Sequence, residues 1–381
     1  MKKISLIMIA ALLFGLIAGC SAAITPAPTT VMTVAPTAVT AETTAPVATV
    51  VPASNNPLAG KAVDANGQPL LLGYVGNENS SGWMSNANSY LKSLWERAGG
   101  KVVEYISDYD LIKEVSMMDD LIQMKPAAIL VHPSDSAAIA PSVQKALDMG
   151  IPVFTVDMGV TGAQVISYVH VDQAAMGAMD ADYIRDHYSA DNPARVLELT
   201  GSLDQNGAQL RQKGFDDELK SVPYATIVQT IDTKWMSDNA FTGVQDAFQR
   251  NPDINVIYSH SDFFMQGILQ GLQSINKLIP AGQAGHIVVL SIDADQVGLK
   301  GIRDGYIDAD VENNPVLSMA ITVNVILANN YGQPVKNDYL VPLTLVTKDN
   351  VESQALWANL PPGEWDQWPV AEQTVFPIPS R

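Results

Sequence analysis

Residues 127–158, AAILVHPSDSAAIAPSVQKALDMGIPVFTVDM, read as strand, polar turn, helix, short strand and polar turn. Ala127 to Val131 is a short apolar run of the kind that forms a strand buried on both faces. His132-Pro133-Ser134-Asp135-Ser136 interrupts it with turn formers and offers an N-cap for the next helix. Ala137 to Met149 has helical spacing, with Ile139, Val143 and Leu147 on one face. Gly150 falls where a helix C-cap glycine belongs, and Pro152 forbids continuation. Ile151 to Val156 is the next strand, ending in Asp157. Two neighbouring parallel strands therefore bring His132 and Asp157 to one carboxyl edge of a sheet, the edge at which open α/β sheets bind ligands.

The same alternation repeats on both sides of this stretch. Strands are expected at Leu70–Val75, Val102–Ile106, Val165–Val171, Arg195–Thr200, Thr226–Ile231, Ile254–Ser259, His286–Ile292, Ile307–Val311 and Leu340–Val346. Helices are expected at Trp83–Ala98, Leu111–Met124, Ala174–His187, Gly207–Leu219, Ser237–Gln249, Phe264–Ile275, Gln296–Arg303 and Pro315–Asn330. Strands joined by helices require parallel sheets with right-handed crossovers. About ten such units exceed one comfortable sheet, so the expectation is α/β with two doubly wound lobes. The first strand is not followed by a glycine-rich phosphate loop; Gly73-Tyr74-Val75-Gly76 has the wrong spacing.

The chain has 381 residues, 47% of them hydrophobic and 16% charged, enough to build two lobes with substantial cores. A formal charge of −18 argues against nucleic acid or an anionic membrane surface as a partner. Met1-Lys2-Lys3 followed by apolar Ile4–Ile17 has the form of a signal peptide, too short to serve comfortably as a membrane span. Leu16-Ile17-Ala18-Gly19-Cys20 looks like a bacterial lipobox, with residues 1–19 removed and lipid attached at Cys20; an ordinary signal peptide with an incidental cysteine is the alternative. Cys20 is the single cysteine, so no disulfide forms within one chain. Residues 20–57 are rich in Thr, Ala, Pro and Val and read as an extended tether. The folded body is expected to begin near Leu70, and residues 349–381 are expected to form an irregular tail with three tryptophans, Trp357, Trp365 and Trp368.

From Leu70 to about Val351 the chain resembles the type I periplasmic solute-binding proteins, nearest to the ribose/galactose-binding group of ABC sugar importers and related to the ligand-binding cores of LacI-type repressors. The resemblance is carried by VHPSDS at 131–136, IPVFTVD at 151–157, RQKGF at 211–215, SHSDFFMQG at 259–267, VVLSID at 288–293, DGYIDADVENNP at 304–315 and VTKDNV at 346–351. It implies two lobes joined by three crossings with ligand between them. Carried over, the first lobe is 70–171 plus 314–339 and the second 172–313 plus 340–348, closing by a hinge motion.

The resemblance also implies a set of ligand contacts. Ser81, Trp83 and Met84 follow the first strand, where the family places a polar residue and two aromatics. The indole of Trp83 suits the C–H face of a sugar ring, unless it is simply the first core residue of its helix. His132 stands where ribose binders carry asparagine, and could equally be a turn histidine bonded to local backbone. Asp157 matches the aspartate that grips sugar hydroxyls, but the arginine that follows it in the family is replaced by Met158. That loss is expected to deprive Asp157 of the neighbour that holds it charged in a closed cleft. Arg211, in R-x-x-G-F, offers five fixed donors; the alternative is a surface ion pair with Asp216 or Asp217. Trp235 stacks on the second ring face or packs as core. Ser261 and Asp262 follow a strand, and Asp262 is read as a helix cap. Asp293 matches a second hydroxyl-binding carboxylate, and Asn313 an amide near the last crossing. Such a cleft suits a neutral polyhydroxylated ligand.

An enzyme is not expected. His132, Ser134 and Asp135 share one turn without forming a relay, G-x-S-x-G is absent, and no histidine pair has metal-ligand spacing. No cofactor is implied. The reading is an extracytoplasmic, lipid-anchored monomer that delivers a monosaccharide or small polyol to the permease of an ABC importer. A ligand-presenting subunit for a chemoreceptor or membrane kinase is the alternative, because both uses read the closed lobes.

Overall fold

The computed structural model describes residues 58–360. The expected signal peptide, Cys20, the tether, Trp365 and Trp368 lie outside the described residues. Among the described residues no helix is long and apolar enough to cross a membrane.

The first sheet is built from β1 (Leu71–Gly76), β2 (Lys101–Ile106), β3 (Ala128–Val131), β4 (Val153–Val156) and β5 (Ser167–Val171), with α1 (Gly82–Arg97), α2 (Leu111–Met124) and α3 (Ala140–Asp148) as crossovers. The second is built from β6 (Ala194–Thr200), β7 (Ala225–Asp232), β8 (Val256–Ser259), β9 (Val288–Asp293) and β10 (Ala309–Glu312). Its helices are α4 (Gln173–His187), α5 (Asn206–Leu219), α6 (Ser237–Arg250), α7 (Met265–Ser274) and α8 (Gln296–Asp304). The chain then returns to the first lobe as α9 (Pro315–Asn330) and β11 (Asp338–Val341), and ends its sheets in the second with β12 (Thr344–Thr347).

The sheet orders are β11-β5-β4-β3-β1-β2 and β12-β10-β9-β8-β6-β7. Each lobe is thus wound in both directions from its first strand. All pairs within them are parallel except β12 against β10. The chain passes between lobes three times, after β5, after β10 and between β11 and β12. The last crossing corrects the sequence expectation. Leu340–Val346 is not one strand: Leu340 and Val341 pair with β5 in the first sheet, and Thr344 begins the strand that pairs with β10 in the second. The lobe boundary therefore falls at 342–343 and not between 339 and 340.

Two further boundaries move. The helix after His132 starts at Ala140, not Ala137, because Pro141 fits only the first turn of a helix. Before it, Asp135 Oδ1 accepts the amides of Ala137 and Ala138, each at 2.8 Å, which shapes a turn. The body also begins earlier than Leu70. Leu58 and Ala62 are buried in the core, Ala62 N–H donates to Ala98 O at 2.8 Å, and Val63 bridges Pro69. Helix α9 is apolar on nearly every face and is buried accordingly, against α1 and the β4–β5 side of the first sheet.

Candidate functional site

The carboxyl ends of both sheets face each other, and the side chains they carry line one cleft. Ser81, Trp83, Met84, His132, Asp157, Arg211, Trp235, Ser261, Asp293 and Asn313 all line it, together with Asn77, Glu78, Tyr109, Met158, Gln205 and Phe263. The strand ends that carry them flank the points where sheet order reverses, β1/β3 in one lobe and β6/β8 in the other.

Asp157 and Asp293 are the carboxylates, one from each lobe. Both sit in left-handed backbone, φ 56° and 114°, a conformation that costs L residues energy and clusters at binding sites. Asp157 is closely held. Its Oδ2 lies 3.2 Å from His132 Nε2, and its Oδ1 accepts from Asn313 Nδ2 at 3.0 Å and Gln173 Nε2 at 3.1 Å. Burial pushes this carboxyl up, but hydrogen bonding and charge from His132, with Arg211 and Asn313, outweigh it and hold the group at about 2. This overturns the expectation drawn from Met158. The charge-holding neighbour is His132, and the histidine is bonded to Asp157 and not to its own turn.

Asp293 is the opposite case. Burial raises its carboxyl to about 7 against the lowering by Arg211 and by the Ser261 hydroxyl, which donates to Oδ2. Asn313 Nδ2 reaches Asp293 Oδ1 at 3.4 Å as well as Asp157. One amide thus joins the two carboxylates, one a fixed acceptor and the other poised between acceptor and donor at neutral pH.

Arg211 is 2% exposed and makes no surface ion pair. Its Nε donates to Gln173 Oε1 at 2.7 Å and its Nη1 to His260 O at 2.5 Å, while Asp217 is taken by Lys213 and Lys220. Its guanidinium carbon lies 5.9 Å from the Trp235 ring centroid. Trp235 lies flat against Gly201, where any Cβ would come within 2.0 Å of the indole. Its Nε1 donates to Gln205 Oε1 at 2.5 Å. Trp83 belongs to the core and lines the cleft at once, its ring centroid 5.8 Å from that of His132. Ser81 caps α1, accepting from Met84 N at 3.0 Å, and donates to Glu78. Ser261, not Asp262, caps the turn after β8. Asp262 lies behind the cleft, accepting from Ser291 Oγ at 2.6 Å and Asp295 N at 2.9 Å.

Among the lining residues, His132 Nδ1, Asn313 Oδ1, Trp83 Nε1 and Asn77 Oδ1 are buried without a protein partner. Buried polar atoms are costly unless bonded, so these four favour a ligand with several hydroxyls. Among the described residues no group of three or more His, Cys, Asp or Glu is placed to hold a metal ion.

The lobes are in contact across the cleft. Gln205 Nε2 donates to Pro133 O at 2.7 Å, Asn206 N to Ser136 Oγ at 3.0 Å, and Gly159 N to Asn206 Oδ1 at 3.0 Å. Met158 buries its thioether against Gly207 at the start of α5; a Cβ there would meet its sulfur at 2.3 Å. Sequence reasoning missed Asn77, Glu78, Tyr109, Gln205 and Phe263. Glu78 had a local signal, an acid three residues before a serine cap; Tyr109, Gln205 and Phe263 are brought in by tertiary approach.

Residues 72–333 match the family model described as a periplasmic binding protein domain. The chain is 27% identical over 253 residues to a ribose import binding protein of Bacillus subtilis, covering 66% of this chain and 79% of that one. It is 27% identical over 246 residues to a xylitol-binding protein of Mycolicibacterium smegmatis, covering 64% and 67%. A solved structure from Mycobacterium smegmatis in complex with β-D-fucofuranose superposes with a TM-score of 0.70 at 22% identity, covering 74% of this chain and 93% of that one.

Proposed function

The chain belongs to the periplasmic binding protein domain family, and from that premise we propose that it binds a monosaccharide or similar small polyol between its lobes and delivers it to the permease of an ABC importer. The protein works outside the cytoplasm, held to the membrane by lipid on Cys20 with residues 20–57 as tether, and acts as a monomer without catalysis. Asp157 fixes hydroxyls from the first lobe, Asp293, Ser261 and Arg211 do so from the second, and Asn313 does so from the crossing between them. Trp83 and Trp235 cover the C–H faces of the ring. His132 and Met84 shape the wall, and Ser81 holds the start of α1 in place. The lobes turn about the three crossings to admit and enclose the ligand.

The observation that carries this reading is the pairing through Asn313 of a charged Asp157 with an Asp293 poised between its two forms, in a cleft where Arg211 is already bonded to Gln173 and His260. With two nitrogens of its one arginine already bonded to the protein and two carboxyls facing the ligand, the cleft favours neutral hydroxyls over anions. The names of the two relatives, a pentose binder and a polyol binder, agree with that chemistry. The test is a thermal-shift panel on residues 58–381 with pentoses, hexoses, deoxy sugars, polyols, nucleosides and amino acids. A ligand at about 100 times its dissociation constant stabilises by about 2.7 kcal/mol, a visible shift. A sugar or polyol hit is expected; a shift with only a nucleoside or an amino acid would overturn the substrate class.

A further inference from the structure

The chain does not end at its last strand. Beyond Val351, outside the stretch matched by the family model, it folds back over the second lobe and ends its described course in a 3-10 turn, Trp357–Asn359. Trp357 is 2% exposed. Its indole Nε1–H donates to the backbone carbonyl of Asp293 at 3.0 Å, and its own backbone N–H donates to Glu312 Oε1 at 3.0 Å. One residue of the tail therefore ties together two strand ends: that of β9, which carries Asp293, and that of β10, which leads into Asn313.

The first of these ends needs holding. Asp293 has φ 114° and Ala294 φ 48°, successive residues in backbone that L side chains rarely adopt. Three restraints come from the lobe itself: Ala294 N–H to Asp310 Oδ1 at 2.8 Å, Asp295 N–H to Asp262 Oδ2 at 2.9 Å, and a longer one, Asn313 N–H to the Asp293 carbonyl at 3.4 Å. The fourth is the Trp357 indole, the shorter of the two bonds to the Asp293 carbonyl. The turn is anchored in its own right. Arg303 Nη2 donates to Asn359 Oδ1 at 2.6 Å, and Asn359 Nδ2 donates to the carbonyls of Val351 and Ser353, both at 2.8 Å. Val351 and Leu356 are part of the second lobe's apolar core. Trp357 also stands at the junction of the lobes, lining a groove with Gly82 and Ser85 of α1 and Asp295 and Val297 of the α8 end.

We propose that residues 351–360 form a clasp and that Trp357 is a positioning residue, holding Asp293 and Asn313 in the geometry that grips ligand. The proposal rests on the sugar-binding reading above. Trp357 acts through the backbone of Asp293. Losing its N–H therefore loosens the carboxylate's aim and speeds ligand loss.

The test uses the full chain with Trp357→Phe, which keeps an aromatic ring and removes the donor, and Asn359→Ala, which weakens the anchor without touching the indole. The probes are D-ribose, D-galactose and xylitol. For whichever binds wild type best, Trp357→Phe is expected to lower affinity about tenfold, mainly through faster dissociation, and Asn359→Ala severalfold, with little change in the latter's unliganded melting temperature. Wild-type affinity in a folded Trp357→Phe protein overturns the clasp, as does wild-type affinity in Asn359→Ala if Trp357→Phe does not fold. A ligand-independent arm tracks the Trp357 indole N–H resonance, identified by its loss in Trp357→Phe. Slow exchange with solvent and a shift in Asp293→Ala support the clasp; rapid exchange overturns it. If wild type binds none of the three probes, the sugar reading loses its support, and the indole measurement alone decides the clasp.

Discussion

Asp157 keeps its charge in a buried cleft without the arginine that follows it in the ribose-type pattern, because His132 on the neighbouring strand, helped by Arg211 and Asn313, takes over that task. The two departures from the ribose-type pattern, His132 and Met158, are thus one exchange. The histidine supplies hydrogen bonding and charge at 3.2 Å, and the methionine fills apolar space against Gly207 on the other lobe. His132→Ala should raise the Asp157 carboxyl well above about 2 and weaken ligand binding tenfold or more. Carboxyl titration by NMR and calorimetry would measure both, and an unmoved titration would contradict the assignment. His132 and Asp157 were legible from the chain itself, because each is a polar residue ending an apolar run; the other expected contacts, among them Trp83, Arg211 and Asn313, came from the family resemblance. Gln205 and Tyr109 were legible from neither. Gln205 bridges Pro133 O and the Trp235 indole only once the lobes meet, and no local pattern encodes that.

Helices α4 and α5 cross with their backbones in contact. A Cβ on Gly177 would lie 2.1 Å from Arg211 O, and one on Gly214 would lie 1.9 Å from Ala174 O. This close crossing sets the height of Arg211 and Gln173, whose bond at 2.7 Å joins the two helices beneath the cleft. Gly214→Ala should therefore cost at least the about 1–3 kcal/mol of an overpacked core, several degrees of melting temperature, and displace Arg211 as well. Thermal denaturation checks the first; a melting temperature equal to wild type would contradict the packing. Elements were largely legible from apolar periodicity. The exception, β11 and β12, was hidden because both are short and apolar and adjoin in sequence. Pro342 was the available signal, since a proline inside such a run marks a break.

The body as a whole buries more carboxyls than it pairs with cations. Asp293 and Glu312 both stand at about 7, raised by burial, and Asp180 has both oxygens buried with no protein partner, its carboxyl raised well above the usual range by burial. Their unfolded values lie near about 4. Each contributes stability that is full below that pH and lost as pH rises through its folded value. His286, raised by its Asp308 partner against the lowering effect of burial, acts in the same direction, whereas His260, lowered by burial, opposes below about 6.5. At about 1.4 kcal/mol per pKa unit, melting should rise by several degrees from pH 8 to pH 5.5. Asp180→Asn should flatten that slope without loss of stability at pH 8. A melting temperature that falls steadily over this range would contradict the account. What no sequence pattern could reveal at this scale was which acids face one another; that depends on both sheets directing their strand ends into one cleft.

In the proposed function the ligand is held between the lobes by the two strand-end carboxylates. The most direct measurement is calorimetric titration of the best sugar or polyol of the panel into wild type and Asp293→Ala. Hydrogen bonds are worth about 0.5–1.5 kcal/mol each, and about 1.5–3 to a charged group, so a variant without this carboxyl should lose about tenfold in affinity. Binding as tight as wild type would place the ligand elsewhere and contradict the account.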